Sequence, residues 1–119
     1  MKKKKVLVID DEPDIVEFLR DLLEDNGYAV VSATNSHDAL DLIKQNKPDI
    51  ILLDMLMPEE TGTGFYRKLL EIKECKDIPI IIVSAIPKRN LPLDKSIPVI
   101  DKPIEEKKML AELRNILYK

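Results

Sequence analysis

The sequence predicts an α/β protein built on a parallel sheet of five strands with helices on both faces. Three observations carry this reading. Five short apolar runs, at Val6 to Ile9, Tyr28 to Ala33, Ile50 to Leu53, Ile80 to Val83 and Val99-Ile100, are separated mostly by stretches with apolar residues at helical spacing. That alternation builds parallel sheets with right-handed crossovers. The run Ile50-Ile51-Leu52-Leu53 contains no polar residue, as expected of a strand buried on both faces. Finally, four of the five runs stop at chemically capable groups, namely Asp10-Asp11, Asp54, Ser84 and Lys102. In open α/β sheets the carboxyl ends of strands are where ligands bind.

Length and composition set the bounds. The 119 residues suit one domain covering 1–119, with a single core. A content of 45% hydrophobic and 34% charged residues fits a soluble globular chain, and a net charge of -3 gives no general affinity for nucleic acid. No apolar run approaches the roughly 20 residues of a membrane span, so a cytoplasmic protein without a membrane partner is expected. Lys2 to Lys5 read as a solvated start to the first strand rather than as a binding patch. The lone Cys75 excludes an internal disulfide, lies in a polar stretch and reads as incidental.

Along the chain, Pro13 suits the first turn of a helix whose inner face is Ile15, Phe18, Leu19, Leu22 and Leu23, and Asn26-Gly27 ends it. After the second strand, Asn35 or Ser36 caps a helix with Ala39, Leu40 and Ile43 inside. Lys47-Pro48-Asp49 turns into the third strand, which ends at Asp54. Pro58 and Gly62 then shape a loop into a third helix marked by Phe65, Leu69 and Ile72. The fourth strand ends at Ser84. Between it and the fifth, Pro87, Pro92 and Pro98 interrupt any helix of ordinary length. Met109, Leu110, Leu113, Ile116 and Leu117 mark a closing helix. His37 reads as a surface residue without a ligand partner nearby in sequence, and Met55 and Met57 as loop packing.

Parallel strands bring their ends to one rim. Acids gathered there repel one another unless a cation joins them, and oxygen-only ligands favour a hard ion such as magnesium, which welcomes phosphate oxygens. Lys102 adds an ammonium and Ser84 a hydroxyl. Together with the ion, Lys102 could neutralise a phosphoryl group in flight while Asp54 attacks phosphorus in line. Each part alone is unremarkable, since paired acids after a strand often cap helices. Their joint occurrence at the ends of successive strands points to a phosphoryl site.

With these residues in view, the chain resembles the receiver domains of bacterial-type two-component response regulators. The matching pieces are Val8-Ile9-Asp10-Asp11-Glu12, Asp54-Met55-Leu56-Met57-Pro58 with Gly62, Val83-Ser84-Ala85 and Lys102-Pro103, and they span nearly the whole sequence. The resemblance implies a flavodoxin-like fold with strand order 2-1-3-4-5. It further implies that Asp54 accepts phosphoryl from a histidine kinase or histidine phosphotransfer protein and so changes binding to a downstream protein. Magnesium would be held by Asp10, Asp11, Asp54 and the backbone carbonyl of Leu56, with Asp10 often acting through water. Ser84 and Lys102 would bind the phosphoryl group and switch, and the peptide bond before Pro103 would be cis. Such a protein assists its own phosphorylation and dephosphorylation but is not a turnover enzyme.

The sequence also departs from the family. The segment from Ser84 to Lys102 is short, so the usual fourth helix is expected to be shortened or missing. The position three before the lysine, typically an aromatic that turns inward on phosphorylation, is Val99. No effector region follows the closing helix, which suits either a single-domain regulator or an excised receiver. Two rival readings remain in view. One is a phosphorylation-independent interaction module, supported only by the altered segment from Ile86 to Pro98. The other is a haloacid-dehalogenase-like phosphatase, whose Asp-x-Asp arrangement on the first strand Asp10-Asp11-Glu12 does not supply.

Overall fold

The computed structural model describes residues 3–55 and 62–118, with Gly62 and Thr63 described at the backbone only. Five strands form one sheet: β1 (Lys5–Ile9), β2 (Ala29–Ala33), β3 (Ile50–Asp54), β4 (Ile80–Ser84) and β5 (Val99–Asp101). All pairings are parallel and the order is β2-β1-β3-β4-β5. The helices are α1 (Pro13–Asp25), α2 (Ser36–Asn46), α3 (Gly62–Glu71) and α4 (Glu106–Leu117). Both the doubly wound fold and its strand order match the sequence expectation.

Strand alternation divides the core in two. Val6, Val8, Ile50, Leu52, Ile81, Val83 and Ile100 face one side, where α1 contributes Leu19, Leu22 and Leu23 and α4 contributes Met109 and Leu113. Leu7, Ile9, Ile51, Leu53 and Ile82 face the other, where α2 adds Ala39 and Ile43, and α3 adds Phe65 and Leu69. Every residue of β3 is buried, because the strand lies at the centre of the sheet with helices over both faces. A fully apolar run is what that position demands.

Local signals act as expected at most helix ends. Pro13 occupies the first turn of α1, and Gly27, at φ +90°, turns the chain out of it. Asn35 caps α2 by accepting the Asp38 amide at 2.8 Å. That helix ends at Lys47 with φ 43°, a left-handed conformation that disfavours side chains carrying a Cβ. Two boundaries differ from the sequence reading: Tyr28 precedes β2, and Ile72 lies just past α3, at the start of a 3-10 turn over Lys73–Cys75.

That turn also buries Cys75, which remains a free cysteine. Despite its polar neighbours the side chain is buried among the residues packed on the α2 and α3 side, and burial pushes its thiol up from the ordinary value. A raised thiol pKa makes it a poor nucleophile. Met55 likewise packs into this core, whereas Met57 lies outside the described residues.

Between β4 and β5 the described chain contains one 3-10 turn, Lys88–Asn90, and no α-helix. Leu91, Leu93 and Ile97 pack on the core from this segment in place of a helix. Side-chain bonds tie it together. Lys88 Nζ donates to the Lys95 carbonyl at 2.7 Å, and the Ser96 amide and hydroxyl donate to Asp94 Oδ1 at 2.9 and 2.8 Å. These two donors hold the Asp94 carboxyl below the usual carboxylate range.

Candidate functional site

Among the described residues the buried polar or charged side chains are Asp10, Asp54 and Ser84, exposed by 2%, 4% and 1%. All three stand at carboxyl ends of neighbouring strands. Removing a carboxylate from water costs several kcal/mol, and a domain keeps such groups only with partners. The partner here is Lys102, one residue beyond β5. Its ammonium lies 3.2 Å from Asp10 Oδ2, 3.2 Å from Asp54 Oδ1 and 3.2 Å from Glu12 Oε1. The Glu12 amide completes the cluster by donating to Asp10 Oδ1 at 2.9 Å.

The register explains the convergence. Ile9 pairs with Leu53 and Asp54 with Val83, so the residues that end β1 and β3 emerge side by side. Ser84 pairs with Asp101, which brings the start of the Lys102 segment alongside the end of β4. The Lys102 amide donates to the Ser84 carbonyl at 2.8 Å. The Lys102–Pro103 peptide bond is cis.

Charge and burial act against each other in this cluster. Burial pushes the Asp10 carboxyl up from its ordinary value, against the Glu12 amide and the Lys102 ammonium, which pull it down. For Lys102, burial works against the charge, but the Asp10 carboxylate first, then Asp54 and Glu12, outweigh it and raise its pKa. Lys102 is therefore firmly cationic.

Ser84 lies apart from the ionic cluster in its hydrogen bonding: its Oγ accepts the Ile86 amide at 2.9 Å, tying the start of the irregular segment to the strand end. Val99 is half-buried and packs on the α2 and α3 side. The Leu56 carbonyl lies outside the described residues, so the structure gives no account of it.

Carboxylate oxygens of Asp10, Asp11 and Glu12 lie within 4.8 Å of one another. This all-oxygen set, with the buried Asp54 carboxylate gathered to Asp10 through their shared contact with Lys102, fits a hard divalent ion such as magnesium. Glu12 is the site residue that sequence reasoning passed over. An acid just before a helix reads as favourable charge at its N-terminus, and only the position of Lys102 reveals its second contact.

A second group, His37, Asp38 and Asp41, also has possible ligand atoms within 4.8 Å of one another, with His37 Nε2 3.9 Å from Asp41 Oδ2. One helical turn brings the two acids beside His37, and all three residues are exposed, so the expected placement of His37 on the surface stands.

Comparison with known proteins agrees with this geometry. The response regulator receiver domain family matches residues 6–114. The protein PilH of Pseudomonas aeruginosa is 31% identical over 120 residues, covering 95% of this chain and 97% of its own. A probable transcriptional regulator, ycf27 of Porphyridium aerugineum, is 34% identical over 98% of this chain. The chain spans only 49% of that relative's length. Among solved structures, the chemotaxis protein CheY4 of Vibrio cholerae superposes with a TM-score of 0.88 at 26% identity, covering 98% of this chain and 100% of its own. A doubly wound sheet in this order, with buried acids and a lysine at its carboxyl rim, together with a match over residues 6–114, shows that the chain belongs to the response regulator receiver domain family.

Proposed function

We propose that this chain is a magnesium-dependent phosphoacceptor in which Asp54 takes a phosphoryl group from a histidine kinase or histidine phosphotransfer protein. Receiver domains as a family are signalling switches that work with such donors and with downstream targets. The observation that carries the residue assignment is the burial of Asp10, Asp54 and Ser84 at one rim, joined by Lys102 to the first two. No comparable expense of buried polarity occurs elsewhere among the described residues.

In this reading an Asp54 carboxylate oxygen attacks phosphorus in line. An O–P bond forms as the N–P bond to the donor imidazole breaks, and the imidazole leaves with the electron pair and takes up a proton from water. Lys102, already 3.2 Å from Asp54, neutralises charge on the phosphoryl oxygens. The Ser84 hydroxyl is free to donate to one of them while its oxygen keeps the Ile86 amide. Asp10, Asp11, Asp54 and the Leu56 carbonyl would hold magnesium, with Glu12 adding negative charge beside them. When bound, the ion would supply electrostatic stabilisation to the in-line displacement.

Phosphorylation adds about 1.5 to 2 negative charges. The element placed to respond is the segment from Ile86 to Pro98, because its first amide is bonded to Ser84 and Val99 offers no aromatic ring to turn inward. Domain extent, 1–119, is part of the same proposal. Intact-mass measurement after acetyl phosphate and magnesium tests it: the wild type gains one phosphoryl group and Asp54→Asn gains none. Modification of Asp54→Asn at the wild-type level would refute the assignment.

A further inference from the structure

We propose that Glu12 is a positioning residue for Lys102: its carboxylate holds the ammonium in the metal-free site, and this contact is the one released when a phosphoryl group on Asp54 draws Lys102 over. The inference rests on the phosphoacceptor reading above. An ammonium has three donor protons. Asp10, Glu12 and Asp54, each 3.2 Å away, account for all three, so oxygens newly added at Asp54 must displace a partner.

The three arms are unequal. Asp10 is buried and its other oxygen is fixed by the Glu12 amide, while Asp54 carries the incoming group itself. The Glu12 side chain is 59% exposed against 13% for Lys102, so water readily replaces the ammonium at Glu12 alone. Glu12 is therefore the arm that yields.

Its place in the fold supports a dedicated contact. Glu12 is the residue at the N-cap of α1, yet its side chain makes no capping bond. Asp, Asn, Ser and Thr fill this position far better. A longer acid here reaches across to Lys102, 90 positions away in sequence, and Pro13, immediately after it, fixes the backbone from which it reaches.

Two variants separate contact from charge: Glu12→Gln removes the charge, and Glu12→Asp keeps it but shortens the reach. The first readout needs no phosphoryl chemistry. Brief acylation with N-hydroxysuccinimidyl acetate, without magnesium, is followed by peptide mass spectrometry of Lys102 relative to the exposed Lys107. Loss of an ion pair with one exposed partner predicts about two- to fivefold faster labelling in both variants. The second readout is beryllofluoride affinity at saturating magnesium, where both variants should bind about two- to fivefold more tightly because the competing arm is gone.

Unchanged labelling, or tighter binding by Glu12→Gln alone, overturns the inference. The latter would make the effect one of distant charge. If the wild type binds beryllofluoride and both variants match it, Glu12 has no positioning role although the phosphoacceptor reading stands. If neither wild type nor variants bind it, the phosphoacceptor reading falls, and the role given to Glu12 falls with it.

Discussion

Replacing Lys102 with methionine tests the electrostatic logic of the site most directly. The substitution keeps an unbranched side chain of similar length but leaves Asp10 and Asp54, both buried, without the ammonium now 3.2 Å from each. Removing one partner of a buried ion pair costs about 3–5 kcal/mol. The Glu12 arm adds little, since its carboxylate is exposed and such pairs contribute at most about 1 kcal/mol. Relief comes from Asp10, whose carboxyl is already pushed up by burial and can take a proton, so the lower end, about 3 kcal/mol, is expected at neutral pH. At this chain length that corresponds to a fall of roughly 12 °C in Tm. Magnesium should reverse it. An ion present at about 100 times its Kd adds about 2.7 kcal/mol, and in the variant it meets no competing ammonium. In the wild type the ion must bind beside the Lys102 ammonium, whose like charge weakens its hold on the carboxylates, so its stabilisation is smaller. Alkaline pH supplies the complementary test. The pKa of Lys102 is raised by folding, so its contribution is complete below the unfolded value of 10.5 and lost as pH rises through the higher folded value. The stability gap between wild type and Lys102→Met should therefore close only at strongly alkaline pH. Thermal unfolding by circular dichroism, with and without magnesium, reads all of these. A variant within about 1 kcal/mol of the wild type in metal-free buffer, against the roughly 3 kcal/mol expected, would refute the reasoning, as would equal stabilisation of both proteins by magnesium.

Three further outcomes are expected. Amide exchange with and without beryllofluoride should show protection rising across residues 84–98, and identical exchange there with a response elsewhere would move the switch to another surface. Ile86 lies two residues beyond Ser84 and cannot orient an attacking water, as Leu56 two beyond Asp54 cannot, so the acyl phosphate should be long-lived. Either Ile86→Glu or Leu56→Asn should shorten its lifetime severalfold, and unchanged decay in both would count against this. Lys47→Gly should raise stability by about 1 kcal/mol in urea unfolding, because φ 43° is strained for lysine and open to glycine.

The sheet and the charged rim were legible from local sequence because both depend on short-range pattern. The uninterrupted run Ile50 to Leu53 could belong only to a covered strand, and an acid, a serine or a lysine directly after such runs had to emerge at one edge. The prolines between Ser84 and Lys102 likewise pointed to a shortened or missing helix between β4 and β5, and a single 3-10 turn stands there. What escaped depended on contacts distant in sequence. The second contact of Glu12 lies 90 positions away, and the burial of Cys75 follows from a 3-10 turn inside a polar stretch. The acids around His37 were visible in sequence, but only the helical turn makes them neighbours. Left-handed Lys47 gave no signal because lysine is a poor marker for that conformation.

The brevity of β5 carries a consequence for behaviour at high concentration. A receiver is expected to meet partners repeatedly, and an open sheet margin offers unpaired amides and carbonyls on which any extended chain could grow. Here that margin is three residues long, with Pro98 before it and Pro103 shortly after, and prolines have no amide to lend to a growing ladder. Its last residue, Asp101, is exposed and charged. An incoming strand would find too few bonds to register and a carboxylate to bury. The fold thus guards one flank of the sheet against fibril-like stacking, which leaves the protein free to associate through side-chain surfaces instead of through its backbone.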